Sequence, residues 1–203
     1  MKSEAGLAVS YLRTDGIAEI YVGVPAGTVA RVHLPGEAAR ARFVTALLKA
    51  KCESGDALEL FGEPVAGLAP QARARLRRRV AALSPIVGLM TNLNVWENVS
   101  LPAAYHGTPP LDRVAGLAVE LLADLGVEPR TFLARLPEEL DAFERKLAAF
   151  LRLLVARPEL ALLDGLDEGL GRAERSRIER FETELRERLP LATLLYVDCK
   201  EED

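Results

Sequence analysis

The stretch ELALLDGLDEGLGRAERSRIERFETELRERLPLATLLYVD, residues 159–198, decides the fold class. Its first run, ELALLD (159–164), is a short apolar segment that reads as a buried strand. RAERSRIERFETELRERL (172–189) follows as a charged amphipathic helix. LATLLYVD (191–198) then reads as a second buried strand. Short apolar strands alternating with helices predict an α/β domain with a largely parallel sheet, covered on both faces.

The segments upstream extend this pattern. LAVSYLR (7–13), IAEIYVGV (17–24) and TVARVHL (28–34) read as strands, with a turn at Pro25-Ala26-Gly27. GEAARARFVTALLKAK (36–51) reads as a helix with Phe43, Ala46, Leu47 and Ala50 on one face. A turn at Ser54-Gly55-Asp56 leads to the strand ALELFG (57–62) and a loop over 63–70. QARARLRRRV (71–80) is a basic helix. In an acidic chain its arginines read as a solvated face rather than a phosphate site. VAALS (80–84) is a strand cut off by Pro85.

Helices dominate the middle of the chain. In NLNVWENVSLPAAYHG (92–107), Asn94 is placed as an N-cap with Glu97 three residues on. LDRVAGLAVELLADLGV (111–127) carries the stripe Val114, Leu117, Ala118, Leu121, Leu122, Leu125. ELDAFERKLAAFLRLLVARP (139–158) reads as a long helix ended by Pro158.

Composition narrows the function. The 203 residues amount to a single domain, 1–203, with 49% hydrophobic residues to build a core. A net charge of −4 excludes nucleic-acid binding through bulk charge. Cys52 and Cys199 are too few for a disulfide framework, and His33 and His106 make no metal cluster. No secretory signal is expected at the start. The most apolar run, 147–156, is interrupted by Arg152 and is too short to span a bilayer. The expected location is cytoplasmic.

Four segments in this order resemble the nucleotide-binding domain of ABC transporters: VPAGTVARVHLPG, SGDALELFGEPVAGLAPQARARLRRRV, NLNVWENVSLP and RPELALLD. The resemblance runs almost from end to end. It is nearest the bacterial lipid-transport ATPases of the mammalian-cell-entry type, in which segments like NLTVWENVALPLxYHG recur. It implies a P-loop NTPase-like core with a mostly parallel sheet flanked by helices, plus a helical subdomain over roughly 86–140. The family continues with further strands and a helix, so a shortened C-terminus is implied.

The family's ATP and Mg²⁺ site then becomes a checklist. Its phosphate loop wraps phosphates in backbone N–H groups, neutralises them with a lysine and holds Mg²⁺ with a hydroxyl. Aligned on the resemblance, this loop falls on His33 to Arg40. Gly36 is kept. The first glycine is His33, the third Ala38, the lysine Ala39 and the hydroxyl Arg40, while Glu37 adds a carboxylate. The glutamine that senses the γ-phosphate is Pro85. The signature reads Leu140-Asp141-Ala142-Phe143-Glu144 instead of LSGGQ. Asp164 is kept at the second Mg²⁺ element, but the water-activating glutamate is Gly165. The histidine after the last strand is Cys199. Tyr11 falls where an aromatic stacks on adenine, although packing is its plainer reading.

Gly36 survives in the loop, and only Tyr11 and Asp164 still suit their family roles; with Arg40 these are the vestigial positions. No catalytic or metal-binding residue is therefore expected at Ala39, Gly165, Cys199 or Pro85, and neither ATP nor Mg²⁺ is expected as a cofactor. The leading expectation is a catalytically inactive, ATPase-like partner in transport, regulatory or structural. Its partners would be a permease, an intact ATPase subunit or a second copy, reached on the cytoplasmic face of the membrane. A weak or unusual ATPase and a module for another ligand are the alternatives. Asp167 and Glu168 are expected to be exposed loop carboxylates rather than a substitute base. Arg40, opening a helix, is expected to pair with Asp164 in place of a divalent cation; the alternatives are that it points to solvent or pairs with Glu37 at i−3 while Asp164 caps a nearby backbone group.

Overall fold

A computed structural model describes residues 6–14 and 19–199. These divide into two units, the first formed by the described residues up to Ile86 with Pro158–Gly165 and those from Pro190 onward. The second comprises Val87–Arg157 and Leu166–Leu189.

The first unit holds two four-stranded sheets. β1 (Leu7–Thr14) pairs antiparallel with β2 (Glu19–Pro25) and with β4 (Asp56–Leu60), and β5 (Glu63–Pro64) extends the edge. The order is β2-β1-β4-β5. The strand expected over 17–24 begins outside the described residues. The second sheet is wholly parallel, in the order β3-β8-β7-β6, from β3 (Val29–Leu34), β8 (Thr193–Cys199), β7 (Leu160–Asp164) and β6 (Val80–Leu83). The parallel sheet is thus joined by an antiparallel one. The alternating β1 and β2 segments meet as neighbours, whereas the apolar runs are separated by long crossovers.

Burial follows the same division. Every residue of β7 is buried, as the unbroken LALLD run requires, while β3 at the sheet edge is exposed at alternate positions. α1 (Gly36–Lys49) joins the two sheets into one core. It touches β3, β6 and β8 of the parallel sheet and β4 of the other, and buries Phe43, Val44 and Leu47. α2 (Pro70–Arg78) buries only Leu76. Its flank is a surface ion cluster: Arg75 reaches Glu63 at 2.8 Å, and Arg79 holds Glu159 through two bonds of 2.7 and 2.8 Å while lying over Phe61.

The second unit is helical, with α3 (Val95–His106), α4 (Leu111–Asp124), α5 (Pro129–Ala134), α6 (Ala142–Ala156) and α7 (Arg172–Arg188). The arm expected over roughly 86–140 falls almost entirely inside it. α3 starts where its capping box places it: Asn94 Oδ1 accepts from Glu97 N and Glu97 Oε2 from Asn94 N, both at 2.8 Å. Four of the six stripe residues of α4 are fully buried, Leu125 sits at the margin and Leu117 is half-buried. Phe150 of α6 stacks on Phe181 of α7 with centroids 4.1 Å apart.

Two readings are corrected. The helix expected over 139–158 begins at Ala142, because the Asp141 side chain accepts from Glu144 N and forms a cap after a 3₁₀ turn at Pro137–Glu139. It ends at Ala156, with Arg157 in the left-handed conformation before Pro158. α5 escapes the periodicity search because it is only six residues long. Glu128 caps it, and bonds from Thr131 and from the Thr131 and Arg130 N–H groups hold that carboxyl below the usual carboxylate range. Among the described residues no helix is long and apolar enough to cross a membrane.

Asn98 organises the entry to α3. Fully buried, it accepts from Met90 N (2.7 Å) and donates to the carbonyls of Met90, Leu93 and Asn94 (3.1, 2.9 and 3.0 Å). Asn98→Ala should therefore cost about 3 kcal/mol, since the fully buried Asn98 amide and the backbone groups of the 90–94 loop that it holds lose their hydrogen bonds. Asn98→Asp should cost more at neutral pH, because its carboxylate would face three carbonyl oxygens. Urea unfolding curves of the three proteins check both statements.

Candidate functional site

The parallel sheet brings four strand ends to one edge. Leu34 of β3 lies opposite Cys199 of β8, Asp164 of β7 opposite Val197, and Leu83 of β6 opposite Leu163. In open parallel sheets this carboxyl edge is where ligands bind. It is also where the sequence places its candidate residues.

Side chains at this edge form one polar chain. Asp164 is 1% exposed. Its Oδ2 accepts a hydrogen bond from Ser84 Oγ, and Ser84 Oγ accepts from Ile86 N at 3.1 Å. Its Oδ1 lies 3.4 Å from Arg40 Nε. The Arg40 Nη2 lies 2.9 Å from Glu37 Oε2, and Cys199 Sγ donates to Glu37 Oε1 at 3.0 Å. The two arrangements foreseen for Arg40, a buried pair with Asp164 and an i−3 pair with Glu37, thus occur together. Its planar guanidinium serves one carboxylate with Nε and the other with Nη2.

The remaining candidate positions lie outside this chain of contacts. β3 ends at Leu34 and α1 begins at Gly36, so Pro35 alone separates strand from helix. Gly36 takes φ +78°, a turn that a side chain would strain. Ala39 is buried in the first turn of α1. Pro85 is exposed, next to Ser84. Gly165 follows Asp164 with φ +60° and donates its N–H to Val197 O at 3.4 Å. Asp167 and Glu168 are exposed, and His33 and His106 are exposed as well.

Tyr11 is not part of the chain at the sheet edge. Its ring is buried, packs edge-on against Phe43 at 5.0 Å and donates to Asp56 Oδ2 at 2.9 Å. Its faces are thus spent in the core, as the packing reading has it. Asp56 is held in turn by two bonds of 2.8 Å from Arg42. In the second unit the positions that the resemblance implies for a signature serve the helix itself. Asp141 and Glu144 close a capping box on α6, Glu144 binds Arg135 at 2.6 Å, and Phe143 is buried with the Arg177 guanidinium over its ring.

Ser84 is the member that sequence reasoning missed. Its signal is positional: it follows the strand VAAL, whose register with β7 sets it beside the end of LALLD. A lone serine before a proline carries no such message.

A parallel sheet with a strand-to-helix turn at its carboxyl edge is consistent with a P-loop NTPase-like α/β core. No family model matches the chain. It is, however, 31% identical over 165 residues to the lipoprotein-releasing system ATP-binding protein LolD of Ruegeria sp. (strain TM1040), covering 78% of this chain and 71% of that protein. It is 32% identical over 112 residues to the macrolide export ATP-binding/permease protein MacB of Azoarcus sp. (strain BH72), spanning 55% of this chain but 17% of that protein. The solved dimer of the ATP-binding cassette MJ0796, bound to ADP and Pi, superimposes with a TM-score of 0.72 at 19% identity, over 96% of this chain and 87% of that one. The chain belongs to the ATP-binding subunits of ABC transporters.

Burial, the hydrogen bond to Asp56 and the Asp56 charge push the Tyr11 phenol up to about 12, from an ordinary value near 10. The neutral form is favoured by folding. The contribution is therefore complete below pH ~10 and is lost as pH rises towards about 12. Tyr11→Phe should be less stable at neutral pH, having lost a hydrogen bond. The gap to wild type should close between pH ~10 and ~12, as read by urea midpoints with tyrosinate absorbance as the titration record.

Proposed function

We propose that this chain is a non-hydrolysing member of its family, a regulatory or structural partner within an ABC transport system on the cytoplasmic face of a membrane. It docks with a permease, with an intact ATPase subunit or with a second copy of itself. The observation that carries the reading is Arg40 seated against Asp164, where the resemblance implies a hydroxyl and an aspartate sharing Mg²⁺.

The reading draws support from a misfit between the residues present and magnesium–ATP. A phosphate loop needs several backbone N–H groups turned inward around the phosphates. Here one residue, Pro35, links strand to helix, and proline has no N–H to offer. No lysine stands at Ala39, and the Glu37 carboxylate would repel a phosphate. Gly165 has no side chain to activate water. At the signature, Asp141, Phe143 and Glu144 are committed to the capping and packing of α6. Both halves of a head-to-tail nucleotide sandwich are altered. A heterodimer with an intact ATPase would thus hold no complete site, which favours a regulatory or structural position or a self-pair. A lipid or lipid-anchored cargo fits best: NLNVWENVSLPAAYHG resembles the lipid-transport subfamily, and the Ruegeria relative is named for lipoprotein release.

Purified protein should release no phosphate from ATP above a buffer blank, with or without Mg²⁺. Ala39→Lys alone and Gly165→Glu alone should leave it inactive, because groups that act as a unit are not additive. Mg²⁺-dependent phosphate release that tracks the protein through purification would overturn the reading.

A further inference from the structure

We infer that the Arg40 guanidinium stands in for a divalent cation, closing the strand-end network with a tethered charge, so that the fold needs neither metal nor nucleotide to hold this edge together. The inference rests on the non-hydrolysing reading for the identity of the site, and adds what now fills it.

Asp164 is the starting point. A carboxylate buried to this degree is strongly destabilising unless a counter-charge and hydrogen bonds compensate it. One oxygen takes Ser84 Oγ, and the other faces Arg40 Nε. The Arg40 side chain is itself only 9% exposed, so the contact is shielded from water rather than screened at the surface. Its remaining reach goes to Glu37, whose second oxygen takes Cys199. The chain Cys199–Glu37–Arg40–Asp164–Ser84 therefore ties the first turn of α1 to the ends of β6, β7 and β8.

A cation approaching Asp164 would meet like charge at the same oxygen. Arginine keeps its proton at any pH at which the protein is folded, and no chelator removes it. The role of a dissociable ion has thereby passed to a permanent part of the chain. Shortening residue 40 to a hydroxyl should reopen the place, because Asp164 would keep its geometry with no cation beside it.

The test uses the full chain in two arms. In the first, thermal unfolding with EDTA compares wild type, Arg40→Leu, Asp164→Leu and the double variant. Each single change should lower Tm by roughly 5–10 °C, and the double should lose clearly less than the sum. Additive losses, or a double variant that fails to fold, would overturn the inference. Singles that fail to fold beside a folded double would support it. In the second arm, millimolar Mn²⁺ is titrated into wild type and Arg40→Ser, followed by its spin-resonance signal and by Tm. Mn²⁺ should bind and stabilise Arg40→Ser and leave wild type unchanged. The same response in both proteins, or none in Arg40→Ser, would overturn the inference. Phosphate release by wild type would instead end the non-hydrolysing reading and leave the ion-pair coupling standing.

Discussion

The carboxylate of Asp164 sits at the end of a strand with no exposed residue, and that burial constrains everything around it. A parallel sheet covered on both faces is built from continuous apolar runs, so a charge at its edge has little access to water. It must be met by protein groups. Arg40 comes from the first turn of α1 and Ser84 from the residue after β6. The helix start, the strand order and the one-residue turn at Pro35 are all compatible with that meeting.

The same logic operates in the helical unit with different chemistry. The positions that the resemblance alone aligns with a signature serve local packing. Asp141 and Glu144 satisfy the free N–H groups at the start of α6, and Phe143 joins Phe150 and Phe181 in the packing against α7. Arg152 of α6 donates to the carbonyls of Val87 and Gly88 at 2.7 and 3.0 Å, and burial pulls its pKa down. Asp141, Phe143, Glu144 and Arg152 thus hold the helical unit together.

Tyr11 shows how one residue type can mislead. An aromatic on the first strand matches a base-stacking role by position, yet a strand alternates its faces. Tyr11 points to the side where Phe43 and Asp56 lie. The Tyr11–Asp56–Arg42 cluster pins β1, β4 and α1 together and leaves no aromatic face for a ligand.

Periodicity and capping signals determined most of the elements. The apolar runs of β7 and β8, the Asn94–Glu97 box before α3 and the stripe of α4 are local patterns, and each was legible because backbone period and N–H satisfaction act over a few residues. The tertiary structure alone decided that Arg40 reaches both Glu37 and Asp164, that Ser84 completes the chain and that Cys199 ends it. Ser84 and Asp164 are eighty residues apart in sequence, and Cys199 and Glu37 are 162 apart. Their meeting depends on strand order and register, which arise from packing of the whole unit and leave no mark on any short segment.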